Sequence, residues 1–232
     1  MPKKFNSLDL RSRIIDIAVE LLAEQGPSAL QARAIAKAAE VSTMSVYNIF
    51  GGMPDLLRAV DEHGHRLLSA AFLATPASED PVADIFRLAL VYRQQAHLNP
   101  HLYDLMFGLS TRGAYRAIEH KAADPHDTPS AAYEMTYTHL VMAAKRLVES
   151  GRVRNDDPAV IAAQLWSFVH GFIALELAGH FRQFKDSVAM VLIPIGINMA
   201  IALGDTREQA EASIATALKL IKAKARKKVP NP

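Results

Sequence analysis

Residues 42–50 read Ser-Thr-Met-Ser-Val-Tyr-Asn-Ile-Phe. The stretch is too short and too polar for a core helix, and it holds no turn residue that would make it a loop. Ser42 suits an N-cap, where its hydroxyl can accept the backbone amide of Ser45. Val46 and Phe50, four apart, share an inward edge with Val41. Thr43, Met44, Tyr47 and Asn48 are then left on the outer edge, and Gly51-Gly52 ends the helix. The pattern predicts a short surface helix, pinned on one side and rich in hydroxyl and amide groups on the other.

Helical spacing continues in both directions. Upstream, Ile14, Ile17, Ala18, Leu21 and Leu22 mark one face of a first helix, which Gly26-Pro27 stops. A second short helix spans about Gln31 to Ala38, with Ile35 turned inward and Arg33 and Lys37 sharing the outward face. Downstream, a long helix runs from about Pro54 to Ala74, Pro54 fitting a first-turn position. Further helices are predicted over 81–98, 101–107, 130–150, 158–181, 187–203 and 206–226. Residues 108–129, rich in Gly, Pro, Asp and His, are the least regular part of the chain. With no strand pattern and no repeat, the predicted fold class is all-α.

Composition narrows the function. The 232 residues are half hydrophobic and 22% charged, as suits a globular protein with a sizeable core. Without cysteine, no disulfide, thiolate nucleophile or zinc–thiolate site is possible, which fits a cytoplasmic location. Met-Pro-Lys-Lys-Phe-Asn, at residues 1–6, precedes no apolar export core. The run VAMVLIPIGINMAIAL, residues 188–203, is shorter than the roughly 20 apolar residues of a membrane span and carries Pro194, Gly196 and Asn198. It is expected to be a buried, kinked helix, and no membrane partner is expected. Net charge is +2, and residues 1–68 carry eight basic against eight acidic side chains. A nucleic-acid partner must therefore be inferred from arrangement rather than bulk charge.

Two short helices joined by a tight turn and braced by longer ones make a helix-turn-helix. Residues 11–60 resemble the N-terminal domain of the TetR family of bacterial transcriptional regulators. The likeness is carried by Ala18, Leu21-Leu22, Gln25-Gly26, Arg33-x-Ile35-Ala36, Val41-Ser42, Val46-Tyr47, Phe50 and Leu56-Leu57. It implies a DNA-binding domain over 8–68, with the motif at 31–50, and an effector-binding and dimerisation domain over 75–226. It further implies a homodimer, most often a repressor, on a palindromic double-stranded operator that a small-molecule effector releases.

Carried over by position, Thr43, Met44, Ser45, Tyr47 and Asn48 face the DNA. Asn48 can pair with an adenine edge and Met44 can pack on a thymine methyl. Ser42, Thr43, Ser45 and Tyr47 equally suit phosphates, while Gln31 and Arg33 add backbone contacts. This sequence departs from the family in having Met44 where Gly is usual, Thr43 where Lys is common and Ile49 where His is frequent. Gly51-Gly52-Met53 also replaces a segment that often carries Lys. Fewer charged phosphate contacts predict a shallow salt dependence.

The remaining two-thirds carry weaker signals. Residues 158–181 are apolar nearly all round, as in a helix buried on more than one side. Trp166-x-x-x-His170-Gly171 resembles a signature of one subgroup of C-terminal domains in this family. Trp166 and His170 share a face, and Gly171 permits close approach of another helix. Helix 158–181 is paired with 187–203 in a four-helix dimer interface, with 206–226 as the rival second helix. Phe86, Tyr103, Met106, Phe107, Tyr137, His139, Trp166 and His170 are the candidate effector contacts, and a pocket of that lining suits a hydrophobic or aromatic effector.

Nine histidines raise the question of a metal. His63 and His65 point to different faces, Asn99-Pro100 breaks the helix between His97 and His101, and nothing completes a ligand set. No cofactor is expected. The alternative of an all-helical enzyme or ligand carrier has no catalytic motif behind it. The end, KLIKAKARKKVPNP, reads as a solvated tail that could also touch DNA.

Overall fold

The computed structural model describes residues 7–107 and 130–228; the irregular segment predicted at 108–129, the first six residues and the last four lie outside the described residues. Ten α-helices make up the described chain, and no strand occurs among the described residues. They are α1 (Ser7–Gln25), α2 (Ala32–Ala38), α3 (Thr43–Phe50), α4 (Met53–Leu73) and α5 (Pro81–Leu98). After these come α6 (Pro100–Phe107), α7 (Ala131–Glu149), α8 (Pro158–Leu177), α9 (Ile193–Leu203) and α10 (Arg207–Lys228). The all-α expectation holds.

Breaks fall where the chain loses the means to continue. Gly26, at φ 77° and ψ −172°, takes a positive-φ conformation open to glycine, and α1 ends before it. Asn99 accepts the amide of Leu102 at 2.9 Å, capping α6, and Pro100 follows it, so His97 and His101 do sit on different helices. α8 ends at Leu177, short of the predicted 181, because Gly179 turns the chain at φ 80°. The predicted helix 187–203 is divided: Val188–Leu192 form a π-helical turn, and α9 begins at Ile193 with Pro194 in its first turn. Proline's missing N–H and its ring exclude a regular α-helical register through that point.

The helices gather into two compact units, Met1–Leu68 with Leu98–Glu134, and Ser69–His97 with Met135–Pro232. The sequence reading divided the chain once, between 68 and 75; in the structure α6 and the start of α7 group instead with the N-terminal helices. The first unit is built on Ile14, Ala18 and Leu22 of α1, Ile35 of α2, Val46 and Phe50 of α3, Leu56 and Val60 of α4, and Leu105 of α6, all buried.

In the second unit Phe86, Leu147, Ile161, Leu165, Leu203 and Ile214 form the centre of one apolar cluster. Gly196 lets Phe86 reach the backbone of α9: a Cβ there would lie 2.4 Å from the Phe86 ring. Two buried carboxylates tie the ends of this unit. Asp84 accepts from Arg87 at 2.9 Å and Arg146 at 2.8 Å, and Asp205 receives the Arg152 guanidinium through two bonds. At the start of α10 Thr206 Oγ1 accepts the amide of Gln209 at 3.3 Å and caps the helix.

α8 is the one helix among the described residues that is long and apolar enough to cross a membrane, by length and composition, and a third of its most apolar window is buried. The sequence reading tested residues 188–203 for this property and not α8.

Candidate nucleic-acid interface and ligand-facing groups

α2 and α3 are joined by a turn closed by three backbone bonds, from Ala39 N–H to the Ile35 carbonyl, Glu40 N–H to that of Lys37 and Val41 N–H to that of Ala36. Glu40, at φ 54°, occupies the left-handed region in this turn, a conformation that costs a side chain about 1 kcal/mol. Ser42 then caps α3 as its sequence predicts, its Oγ accepting the Ser45 amide at 3.0 Å. The two hydroxyls also bond each other at 2.8 Å. At the other end Gly51, at φ 79°, donates its amide to the Tyr47 carbonyl at 2.7 Å.

Between these ends α3 is strongly two-sided. Val46 and Phe50 are buried, while Met44 is 66% exposed, Tyr47 42%, and Ser42 and Asn48 exposed. Thr43, Ser45 and Val41 are half-buried. A core helix would not expose methionine, tyrosine and asparagine on one edge, and that edge carries no charge. The charges lie around it. Arg33 is exposed on α2. Arg13 approaches Glu40 at 3.9 Å, and the Arg11 guanidinium lies 5.1 Å from the centre of the Phe50 ring. Gln31, exposed at the start of α2, donates through Nε2 to the Ser28 carbonyl at 3.0 Å.

The effector candidates fall into two groups. Phe86, Tyr137, His139, Trp166 and His170 belong to the second unit, and Tyr103, Met106 and Phe107 to the first. Phe86 is core, packed on Gly196. Trp166 and His170 meet across one turn of α8 with ring centres 5.6 Å apart. Tyr92 joins them, its hydroxyl 3.0 Å from His170 Nδ1 and accepting from Trp166 Nε1 at 3.4 Å, and Tyr137 meets the indole edge-on. Beside this group Ser69 and His139 share a hydrogen bond at 2.9 Å, and Phe72 lies edge-on to both His139 and Tyr92. Burial pushes His139 and His170 below the ordinary imidazole value, so both rings are neutral at neutral pH.

Tyr92, Phe72 and Ser69 were missed in the sequence. Tyr92 lies among the apolar residues of α5, and only its hydroxyl distinguishes it from core. Gly171 was expected to admit a neighbouring helix, yet no atom among the described residues lies within 4 Å of where its Cβ would be. Glu176, the nearest acid to His170 along α8, is engaged elsewhere. Burial alone would raise it, but bonds from Arg93, Ser187 and His97 outweigh burial and hold it at about 2.

In the first unit Tyr103 and Phe107 are 4.9 Å apart, and Met106 fills the space that Gly64 leaves open. No group of three or more potential metal ligands occurs among the described residues. α8 exposes Val160 and Leu175, α9 exposes Ile195, and Ala159, Val160, Ala163, Ser167, Phe168 and Met199 line an open groove along the two.

Comparison with known proteins places these features. Residues 14–60 match the description of bacterial regulatory proteins of the tetR family, and residues 85–192 match a tetracyclin repressor-like C-terminal domain. Among solved structures, a protein of unknown function from Rhodococcus sp. RHA1 is similar at TM-score 0.68 and 22% identity, covering 88% of this chain and all of that one. SCO4313, assigned as a regulatory protein, is similar at TM-score 0.59 and 26% identity over 88% of this chain and 99% of its own. RolR in complex with its ligand resorcinol has TM-score 0.63 and 16% identity, covering 90% of this chain and 94% of that one. No curated protein matches the sequence.

Proposed function

The chain belongs to the tetR family of bacterial regulatory proteins, and on that premise we propose that it is a homodimeric repressor of a palindromic operator. The observation that carries the reading is the exposed, uncharged edge of α3, Met44, Tyr47 and Asn48, held out by buried Val46 and Phe50. An edge of that kind suits a major groove, where Asn48 can take an adenine and Met44 a thymine methyl.

The effector is a small, largely apolar aromatic molecule. RolR, a fold relative, is described with resorcinol. Neutral His139 and His170, each hydrogen-bonded to a hydroxyl, suit a ring bearing polar groups better than an anion. The dimer forms through α8 and α9. From Pro158 to Leu175 α8 holds no charged residue, and neither does α9, so their exposed faces match a second copy of themselves. That use also accounts for the apolar length of α8 without a bilayer, and a regulator that acts on an operator works in the cytoplasm.

The test is binding of the purified protein to its own upstream DNA, with Tyr47→Ala and Asn48→Ala alongside. Each variant should weaken specific binding by about 1–3 kcal/mol while leaving the dimer folded. Wild-type protein that prefers no upstream fragment over random DNA would return the chain to the enzyme or ligand-carrier reading.

A further inference from the structure

α4 buries an acid at its centre. Asp61 is 6% exposed, and its Oδ1 accepts no hydrogen bond. The basic group within reach is His65, one turn on, with Nε2 3.8 Å from that oxygen, beyond hydrogen-bonding distance. Burial, with a smaller push from neighbouring Glu62, raises the Asp61 carboxyl to about 7. A leucine would fill such a position without the desolvation cost, so packing gives no reason for an acid here. A buried carboxylate oxygen that receives no hydrogen bond, on a packed helix, is the kind of group that a ligand completes.

The neighbourhood indicates which ligand. His65 meets Phe107 of α6 edge-on at 5.7 Å and Tyr133 of α7 edge-on at 5.4 Å, and Tyr103 packs on Phe107. Asp61 and His65 occupy one face of α4 by their spacing of four, so the acid and the aromatic rings belong to one part of the first unit. Rings favour a flat apolar body and tolerate a cation, while a carboxylate oxygen without a hydrogen-bond donor calls for a positively charged one.

We propose that Asp61 is the polar anchor of a ligand site in the first unit, and that its ligand is a small aromatic amine whose ammonium pairs with the Asp61 carboxylate while its ring packs among Tyr103, Phe107 and Tyr133. This deepens the reading of the chain as an effector-responsive regulator and rests on it. On binding, the amine keeps its ammonium proton and Asp61 gives up its own to solvent, so Oδ1 gains the hydrogen-bond donor it otherwise lacks.

The probe pair is phenethylamine and its uncharged counterpart phenethyl alcohol, titrated calorimetrically into the full chain and into Asp61→Asn. Wild-type protein should take the amine at least about tenfold more tightly than the alcohol, the strength of one charge-assisted hydrogen bond. Asp61→Asn should erase that preference, and Asp61→Leu serves the same purpose if the Asn variant does not fold. An amine bound no better than the alcohol by wild type, or a preference that survives in the variant, overturns the proposal. Operator binding without ligand separates the two readings. Protein that shifts its upstream DNA but shows no amine preference loses the site and keeps the function. Protein that prefers the amine but ignores DNA loses the function and keeps the site.

Discussion

The guanidinium of Arg11, near the start of α1, lies 5.1 Å from the centre of the Phe50 ring, the last residue of α3. The contact joins the entry helix to the end of the recognition helix. It also leaves a cation with no ion pair among the described residues at the margin of the uncharged, exposed edge of α3. Arg11→Gln should therefore weaken operator binding about equally for all sequences and reduce the salt slope by about 1. Arg11→Lys, which keeps the charge, should retain the slope. The check is operator titration across several salt concentrations, and an unchanged slope in the Gln variant removes Arg11 from the phosphate contacts.

Ser42 sets the first turn of α3 through the amide of Ser45. Ser42→Ala should lower stability by about 1 kcal/mol, the usual worth of a serine N-cap, read from denaturant unfolding. Because the helix has only eight residues, loss of the cap should also weaken operator binding. Ser42→Asp, which can cap equally well, should restore stability while its charge still weakens binding. That split separates the cap from any direct phosphate contact.

The recognition helix was legible because each of its features is local. A capping serine, a four-residue spacing of Val46 and Phe50, and a glycine stop are all fixed by neighbours in sequence, and the structure reproduces each. The same holds for Asn99-Pro100 and for Gly26. What could not be read depends on distant residues. The orphaned acid at Asp61 looks like any surface aspartate until α6 and α7 close around α4. Glu176 could be excluded as a partner of His170 by spacing, but Arg93 and His97 on α5 could not be predicted as its partners. That α6 groups with α1 was not legible either, because nothing in the sequence of α6 says where it returns.

Asp61 also predicts a pH dependence of stability. Its folded value, about 7, lies above the ordinary 3.8, so the folded chain holds this proton more tightly than the unfolded chain does. The contribution is therefore fully present below the unfolded value and is lost as pH rises towards about 7. Asp61→Asn, which cannot ionise, should melt close to wild type below about pH 4 and above it near about pH 8, the gap opening between 3.8 and about 7. Equal melting temperatures for the two proteins at both pH values would show that the carboxyl is not held in this way.

Gly196 and Phe86 offer a test of packing in the second unit. A Cβ at Gly196 would meet the Phe86 ring at 2.4 Å and 2.6 Å, and real Cβ atoms do not approach carbon so closely. The ring cannot swing far, since Phe86 is 7% exposed within the main apolar cluster and lines an internal gap of only about 30 Å³ beside Leu147, Val153 and Leu165. Gly196→Ala should cost about 1–3 kcal/mol by overpacking. Phe86→Leu alone should also destabilise, because it empties a filled site. In the double variant the smaller side chain makes room for the new methyl, so the combined loss should fall short of the sum of the single losses. Thermal unfolding of the four proteins closes the cycle, and strict additivity would mean that the ring and the glycine are not in contact.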